Sequence, residues 1–348
     1  MATTFAVPDG RVAMAATTYT GNGSTQSVSN AVNTVSFQPD FVWVKGRNEA
    51  YYHRLTSSLQ SPPNYMSSNA TDAENSVNGT ISAITSTGFS VNINGGTGGT
   101  NSTGINYVGW QWKAGGTAVS NTAGTITSSV SANTTAGFSV VTYTGTGVNA
   151  TVGHGLGVAP AMIFYKSRSN AEGWPVYHSA LAVANNLVLN NTNVQQPNGN
   201  IYWNSTAPTA TLIRAGTDTA NNGSGYTYVA YCWAPVAGYS AFGSYTGNGS
   251  ADGPFIYTGF RPRWLMIKSS TEATSWLVYD SSRNTYNSTG ANLRPNVSDA
   301  EGTQTANLLD FVSNGIKIRG DNTGSINNSQ TYIYAAYAEN PLRYSNAR

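Results

Sequence analysis

The sequence predicts an all-β protein of three tandem β-sandwich modules, jelly-roll-like in kind and related by an internal repeat. Three observations predict it. A set of landmarks recurs three times in one order. The segments between turns are short and rich in Val, Ile, Tyr, Trp, Phe and Thr, which is strand chemistry. Straight-chain helix formers are scarce, and no long window carries a 3.6-residue period.

An arm, residues 1–13, precedes the first module, 14–113; the second spans 137–237 and the third 238–348. Each opens on a turn signature, YTGNG at Tyr19–Gly23, YTGTG at Tyr143–Gly147 and YTGNG at Tyr245–Gly249. A proline follows 15 to 18 residues after the first glycine, then an apolar run closed by lysine: Pro39 with FVWVK, Pro160 with MIFYK, Pro262 with WLMIK. Unbroken apolar runs of this length read as strands covered on both faces. A proline at the strand start forfeits no ladder bond. Next comes an aromatic cluster ending in a polar residue, AYYH at 50–53, PVYH at 175–178 and LVYD at 277–280, which sets His53, His178 and Asp280 at one repeat position. The module closes on an aromatic strand beginning at Tyr107, Tyr228 and Tyr332. The offsets agree: Lys45, Lys166 and Lys268 are 121 and 102 positions apart (166 − 45, 268 − 166), and the strand tyrosines 121 and 104.

Between the first two modules, residues 114–136 are rich in Ser, Thr and Gly and read as a linker with one edge strand. The second junction, APVAG at 234–238, is too short to flex, so modules two and three are expected to dock.

Charged residues make up 9% of the chain against about 25% in an average soluble domain. Neutral Asn, Ser, Thr and Gly must therefore supply the surface. A net charge of +2 without basic clusters argues against nucleic acid as a partner. No apolar stretch approaches a membrane span of about 20 residues. MATTFAVPDG has neither the basic nor the apolar region of a Sec signal, and one cysteine, Cys232, forms no intrachain disulfide.

Candidate chemistry is thin, and no catalytic, cofactor or metal residue is expected. His53 and His178 read as architecture because the third module has Asp280 there. His154, in GHGLG, has no partner at metal-ligand spacing. Cys232 reads as a small buried side chain, since its repeat counterparts are Gln111 and Ala336. The carboxylate pairs Asp72 with Glu74 and Asp299 with Glu301, both D-A-E, are the only ones worth weighing for sugar cleavage, and their duplication favours loop architecture. The glycine-rich segment 95–104 lacks the G-K-[ST] ending of a phosphate loop. Trp174, Trp203 and Trp276 lie near polar loop segments and are the candidates for stacking on sugars, with packing against the next module or a neighbouring chain as the commoner fate of such rings.

The stretches TTAGFSVVTYTGTG, VGHGLGVAPAMIFYKSR, WPVYHSAL, TYVAYCWAPVAGYSAFGSYTGNG and YIYAAYAENP resemble a family of repeat-containing virion proteins of tailed bacteriophages, common in marine and cyanobacterial phages and usually labelled tail-fibre or structural proteins. The resemblance covers about residues 14–347 and carries over no catalytic residue. It implies a non-enzymatic virion protein assembled in the host cytoplasm, a tail-fibre or fibre-like appendage for host attachment. Its expected partners are other virion proteins, further copies in a homotrimer, and host surface polysaccharide, with no cofactor and no membrane insertion. A capsid decoration or knob is the first alternative, a glycan depolymerase the second.

Overall fold

A computed structural model describes residues 5–76, 80–92, 99–303, 305–321 and 324–341. It is nearly all antiparallel β-structure, as the sequence predicts. Three sheets share one strand order. Across each runs the turn strand (Met14–Thr20, Phe138–Thr144, Ser240–Thr246), then the aromatic strand (Asn106–Trp112, Thr227–Trp233, Thr331–Pro341). The lysine strand (Phe41–Gly46, Met162–Ser167, Phe260–Ser269) and a short strand (Arg54–Ser57, Pro175–His178, Leu277–Asp280) complete it.

One face of each sheet is covered by a small outer sheet: Gln26–Ser29, Gly88–Val91 and Ile81–Thr85 in module one, Ala150–Gly153 with Leu212–Ala215 in module two, and Phe255–Tyr257, Gly315–Ile318 and Leu309–Val312 in module three. Each module is thus a sandwich, and its lysine strand is buried on both faces. Val42 and Val44 enter the interior of module one with Phe89 and Val91, while Ile163 and Tyr165 enter that of module two.

The other faces of the three sheets meet. Alternate residues of the same strands, Phe41 and Trp43, Met162 and Phe164, and Trp264 and Met266, join Trp110, Trp112, Tyr231, Trp233 and Tyr337 in one core shared by all modules. Phe41 lies 4.3 Å from Tyr231, and Trp112 lies 6.1 Å from Trp233 and 5.3 Å from Trp264. Docking therefore involves all three modules, beyond the pair expected from the short second junction.

The turn signature has a physical basis repeated three times. The hydroxyls of Tyr19, Tyr143 and Tyr245 donate to the carbonyls of Thr100, Asn221 and Ile326 at 2.7, 2.6 and 2.7 Å. The buried amides of Asn101, Asn222 and Asn327 then accept from the turn backbone at Asn22, Thr146 and Asn248. The last glycine of each turn, Gly23, Gly147 and Gly249, has φ of 72°, 75° and 68°, which costs a glycine little. All three turns sit at the strand ends opposite Trp112, Trp233 and Tyr337.

Residues 114–136, expected as a linker with one edge strand, supply two. Val119–Asn121 and Ser128–Asn133 extend the second sheet beyond its turn strand. The described part of the arm begins at Phe5. Val7 joins the shared core, and the turn Gly10–Val12 lies against the end of the third module's aromatic strand. Among the described residues no helix is long and apolar enough to cross a membrane.

Candidate functional site

Most of the residues singled out by sequence gather along the seams between modules, while Trp203, His154 and Cys232 lie inside module two. Strand pairing corrects one repeat assignment at once. Met162 faces His178 and Trp264 faces Asp280, but their counterpart Phe41 faces Ser57. The partner of His178 and Asp280 in module one is therefore Ser57. His53 stands instead with Trp174 and Trp276, each eight residues after its strand-end lysine.

That trio closes the ring of modules. His53 Nε2 donates to the Arg294 carbonyl of module three at 3.0 Å, Trp174 Nε1 to the Ser67 carbonyl of module one at 3.1 Å, and Trp276 Nε1 to the Val188 carbonyl of module two at 3.1 Å. The acceptors are equivalent too, since the residues before them, Met66, Leu187 and Leu293, pair with Leu55, Val176 and Val278. Two residues further on, the side chains of Asn69, Asn190 and Asn296 accept from the backbone N–H of His53, Trp174 and Trp276 at 3.0, 2.9 and 3.0 Å. Sequence reasoning missed these asparagines, which follow the lysine by 24 residues in modules one and two and by 28 in module three.

The tryptophans proposed for sugar stacking are therefore not exposed. Trp174 is 0% accessible, and Trp203 and Trp276 are 1%. The polar loops beside them belong to the seam and accept their indole N–H groups. Trp203 donates to Val183 and meets Tyr177 edge-on at 5.5 Å. Among the described residues the exposed aromatic rings are Tyr52, Tyr226, Phe255, Tyr257 and Tyr286.

The D-A-E carboxylates lie on the same seam. The backbone N–H groups of Glu74, Gln195 and Glu301 donate to the carbonyls of Arg168, Ser270 and Arg47, each in the neighbouring module. Arg168 grips Glu74 with two hydrogen bonds of 2.8 Å, and Arg47 grips Glu301 at 2.9 and 3.0 Å. Bidentate Arg–carboxylate pairs fix geometry as well as charge. Burial acts to raise the Glu301 pKa, but Arg47 and Arg283 outweigh it and hold the carboxyl below its ordinary range. Each glutamate is committed to a clasp, while Asp72 and Asp299 stand exposed beside it. Of the glycine-rich segment 95–104, residues 95–98 lie outside the described residues.

The histidines hold no free ring nitrogen. Trp43 Nε1 donates to His53 Nδ1 at 2.8 Å, so His53 carries its proton on Nε2. His178 Nδ1 accepts from Ala180 while its Nε2 donates to the Tyr334 carbonyl at 3.1 Å. His154 Nδ1 accepts from Leu156 while its Nε2 donates to Thr209. Burial lowers all three, His178 to about 4, which keeps them neutral. Cys232 is fully buried, and burial pushes its thiol up, away from the nucleophilic thiolate.

Three equivalent buried lysines complete the seam. Lys45 Nζ donates to Gly46 at 2.7 Å, Lys166 to Thr71 of module one at 2.8 Å, and Lys268 to Ser269 at 2.6 Å and Thr192 of module two at 3.3 Å. Burial lowers their pKa from 10.5 to about 7, 8 and 8 respectively. Between those values and 10.5 the unfolded chain binds more protons, so stability should rise with pH by up to about 1.4 kcal/mol per unit for each lysine. Above pH 10 the sign reverses, because buried tyrosines such as Tyr202 and Tyr332, pushed up to about 12, keep their protons only when folded. Urea midpoints measured from pH 7 to 11 should peak at about pH 9 to 10, and Lys45→Met should flatten the rise. A midpoint that falls between pH 7 and 9 would contradict this.

A family model described as "Domain of unknown function (DUF7483)" matches residues 12–341. No curated protein and no solved structure matches the chain.

Proposed function

The chain belongs to the DUF7483 family, and we propose that it is a non-enzymatic structural protein of a bacteriophage particle, a knob on a tail fibre or fibre-like appendage. The observation that carries this reading is the fate of the reactive side chains. His53, His178, Lys166, Lys268 and both D-A-E glutamates bond across the seams between modules, while His154, Cys232 and Lys45 are tied up inside one module. A chain that commits its acid–base groups to seams is built for assembly, and its motifs resemble those of phage virion proteins.

The three YTG turns lie at the strand ends away from the Phe5–Val12 arm, so attachment at the arm would leave them presented outward. Their neutral polar surface suits hydrogen bonding to a host polysaccharide in a wet interface. The ring supplies within one chain a threefold arrangement of the kind expected from a homotrimer, and suits a threefold partner in the virion.

Peptide mapping of purified particles should find the chain, and a map of the particle should place a three-lobed density on the tail. The same density on the head would favour the capsid knob, and absence from particles would overturn the virion reading. Sugar release from host polysaccharide that is lost on Glu74→Gln or Glu301→Gln would favour the depolymerase.

A further inference from the structure

The three modules make equivalent seams, and at one place module one departs from both others. At the start of the short strand, modules two and three carry Gly173 with Pro175 and Ser275 with Leu277, whereas module one carries Tyr52 with Arg54. Across the turn the second difference appears: the counterparts of Tyr65 are Asn186 and Asn292, as the bridges of Tyr65 to Asn75 and Asn186 to Gln196 and the pairing of Asn292 with Gly302 indicate. The fold does not require these three residues, because two modules form the seam without them.

Together they wall a cleft of about 290 Å³, with Ser67, Asp72 and Asn75 completing its lining. Its volume is near the lower end of ligand clefts, roughly 300 to 1,000 Å³, which is room for a single ring. Arg54 forms the base. It is 7% exposed, its guanidinium lies 4.5 Å from the Tyr65 ring and 5.8 Å from that of Tyr52, and Nη1 donates to Ser67 Oγ at 2.7 Å. Its Nε has no hydrogen-bond partner, and no carboxylate among the described residues comes within ion-pair distance. Asp72 acts on the guanidinium only from beyond that distance; a buried cation without a direct ion pair is costly, and two modules avoid it.

Tyr52 is 45% exposed at the mouth, so its ring face is open to a ligand. Asp72 offers an exposed carboxylate at the rim, and Lys166, whose Nζ holds the Thr71 carbonyl, helps balance the Asp72 charge. An aromatic face, a carboxylate for hydroxyls, and a guanidinium without an ion pair for a carboxylate together describe one ligand class. We propose that this cleft binds one acidic sugar ring, a uronate, with the ring on Tyr52 and the carboxylate on Arg54.

This gives the attachment reading a ligand, but the binding test uses the purified full chain alone, so either idea can fail without the other. The probes are methyl glucuronoside, methyl glucoside and inorganic sulfate, followed by ligand-observed NMR titration. The glucuronoside should bind at least about tenfold more tightly than the glucoside. Arg54→Gln and Tyr52→Ala should each weaken it by about tenfold, and Tyr52→Ala should melt with the wild type because its ring is half exposed. Equal binding of the two glycosides, displacement by equimolar sulfate, or unchanged glucuronoside binding in Tyr52→Ala would overturn the proposal.

Discussion

Replacing Trp112 with alanine should destabilise all three modules together, by about 3–5 kcal/mol. The ring is 1% exposed and touches aromatic side chains of every module: Phe41 at 5.5 Å within its own, Trp233 at 6.1 Å in the second, and Trp264 and Tyr337 at 5.3 and 5.9 Å in the third. A cavity there cannot be closed by one module relaxing, because the three sheets that line it hold one another in place. The seam hydrogen bonds run in a closed circuit, so loosening any one module removes partners from both others. The expected result is one urea transition in the variant, shifted to lower denaturant, with tryptophan fluorescence and far-UV circular dichroism coinciding. Two separated transitions would mean that the modules are independent domains merely in contact.

Much of this was legible in the sequence, and the part that was not has identifiable causes. The lysine strands were readable because burial on both faces demands the unbroken runs FVWVK, MIFYK and WLMIK. The repeat was readable because its landmarks kept their offsets. His53 was misplaced where likeness of residue type, AYYH beside PVYH, was preferred to constant spacing from the lysine. The segment 114–136 hid its strands because small residues lowered its strand signal, although Val130, at 2% exposure, anchors one of them in the interior of module two. The ring closure was the least legible feature. Its donors are His in one module and Trp in two, its clasp is Arg with Glu in two and Ser270 with Gln195 in the third, and most of its acceptors are backbone carbonyls, which leave no trace in residue identity. The Tyr52–Arg54 cleft was invisible for a related reason, since nothing along the chain indicates that the arginine is buried against two rings.

The second large effect is expected at Asp280, where the third module departs most from its siblings. Its carboxylate is fully buried and accepts from Arg283 Nε at 2.6 Å, from the backbone N–H of Ser282 and Arg283, and from Trp110 Nε1 of module one at 2.9 Å. Burial acts to raise its pKa, but Arg283 outweighs it and holds the carboxyl below its ordinary value, so this support is lost only as the pH falls through the acid range. Arg283 reaches on to Glu301 at 2.8 Å, and Glu301 to Arg47, so one chain of charges ties module three to module one. Asp280→Ala takes from the buried Arg283 guanidinium the closer of its two counter-ions, leaving Glu301 to balance it, and should cost about 3 kcal/mol. The repeat supplies its own rescue. Where module three has Asp280 and Arg283, module two has His178 and Leu181 with no buried charge. Transplanting that pair, Asp280→His with Arg283→Leu, should recover most of the loss and leave about 1–2 kcal/mol for the weakened Trp110 and Glu301 contacts. Urea midpoints of the single and double variants decide it. If the double variant is no more stable than Asp280→Ala, the cost lies in packing rather than in the broken charge pair.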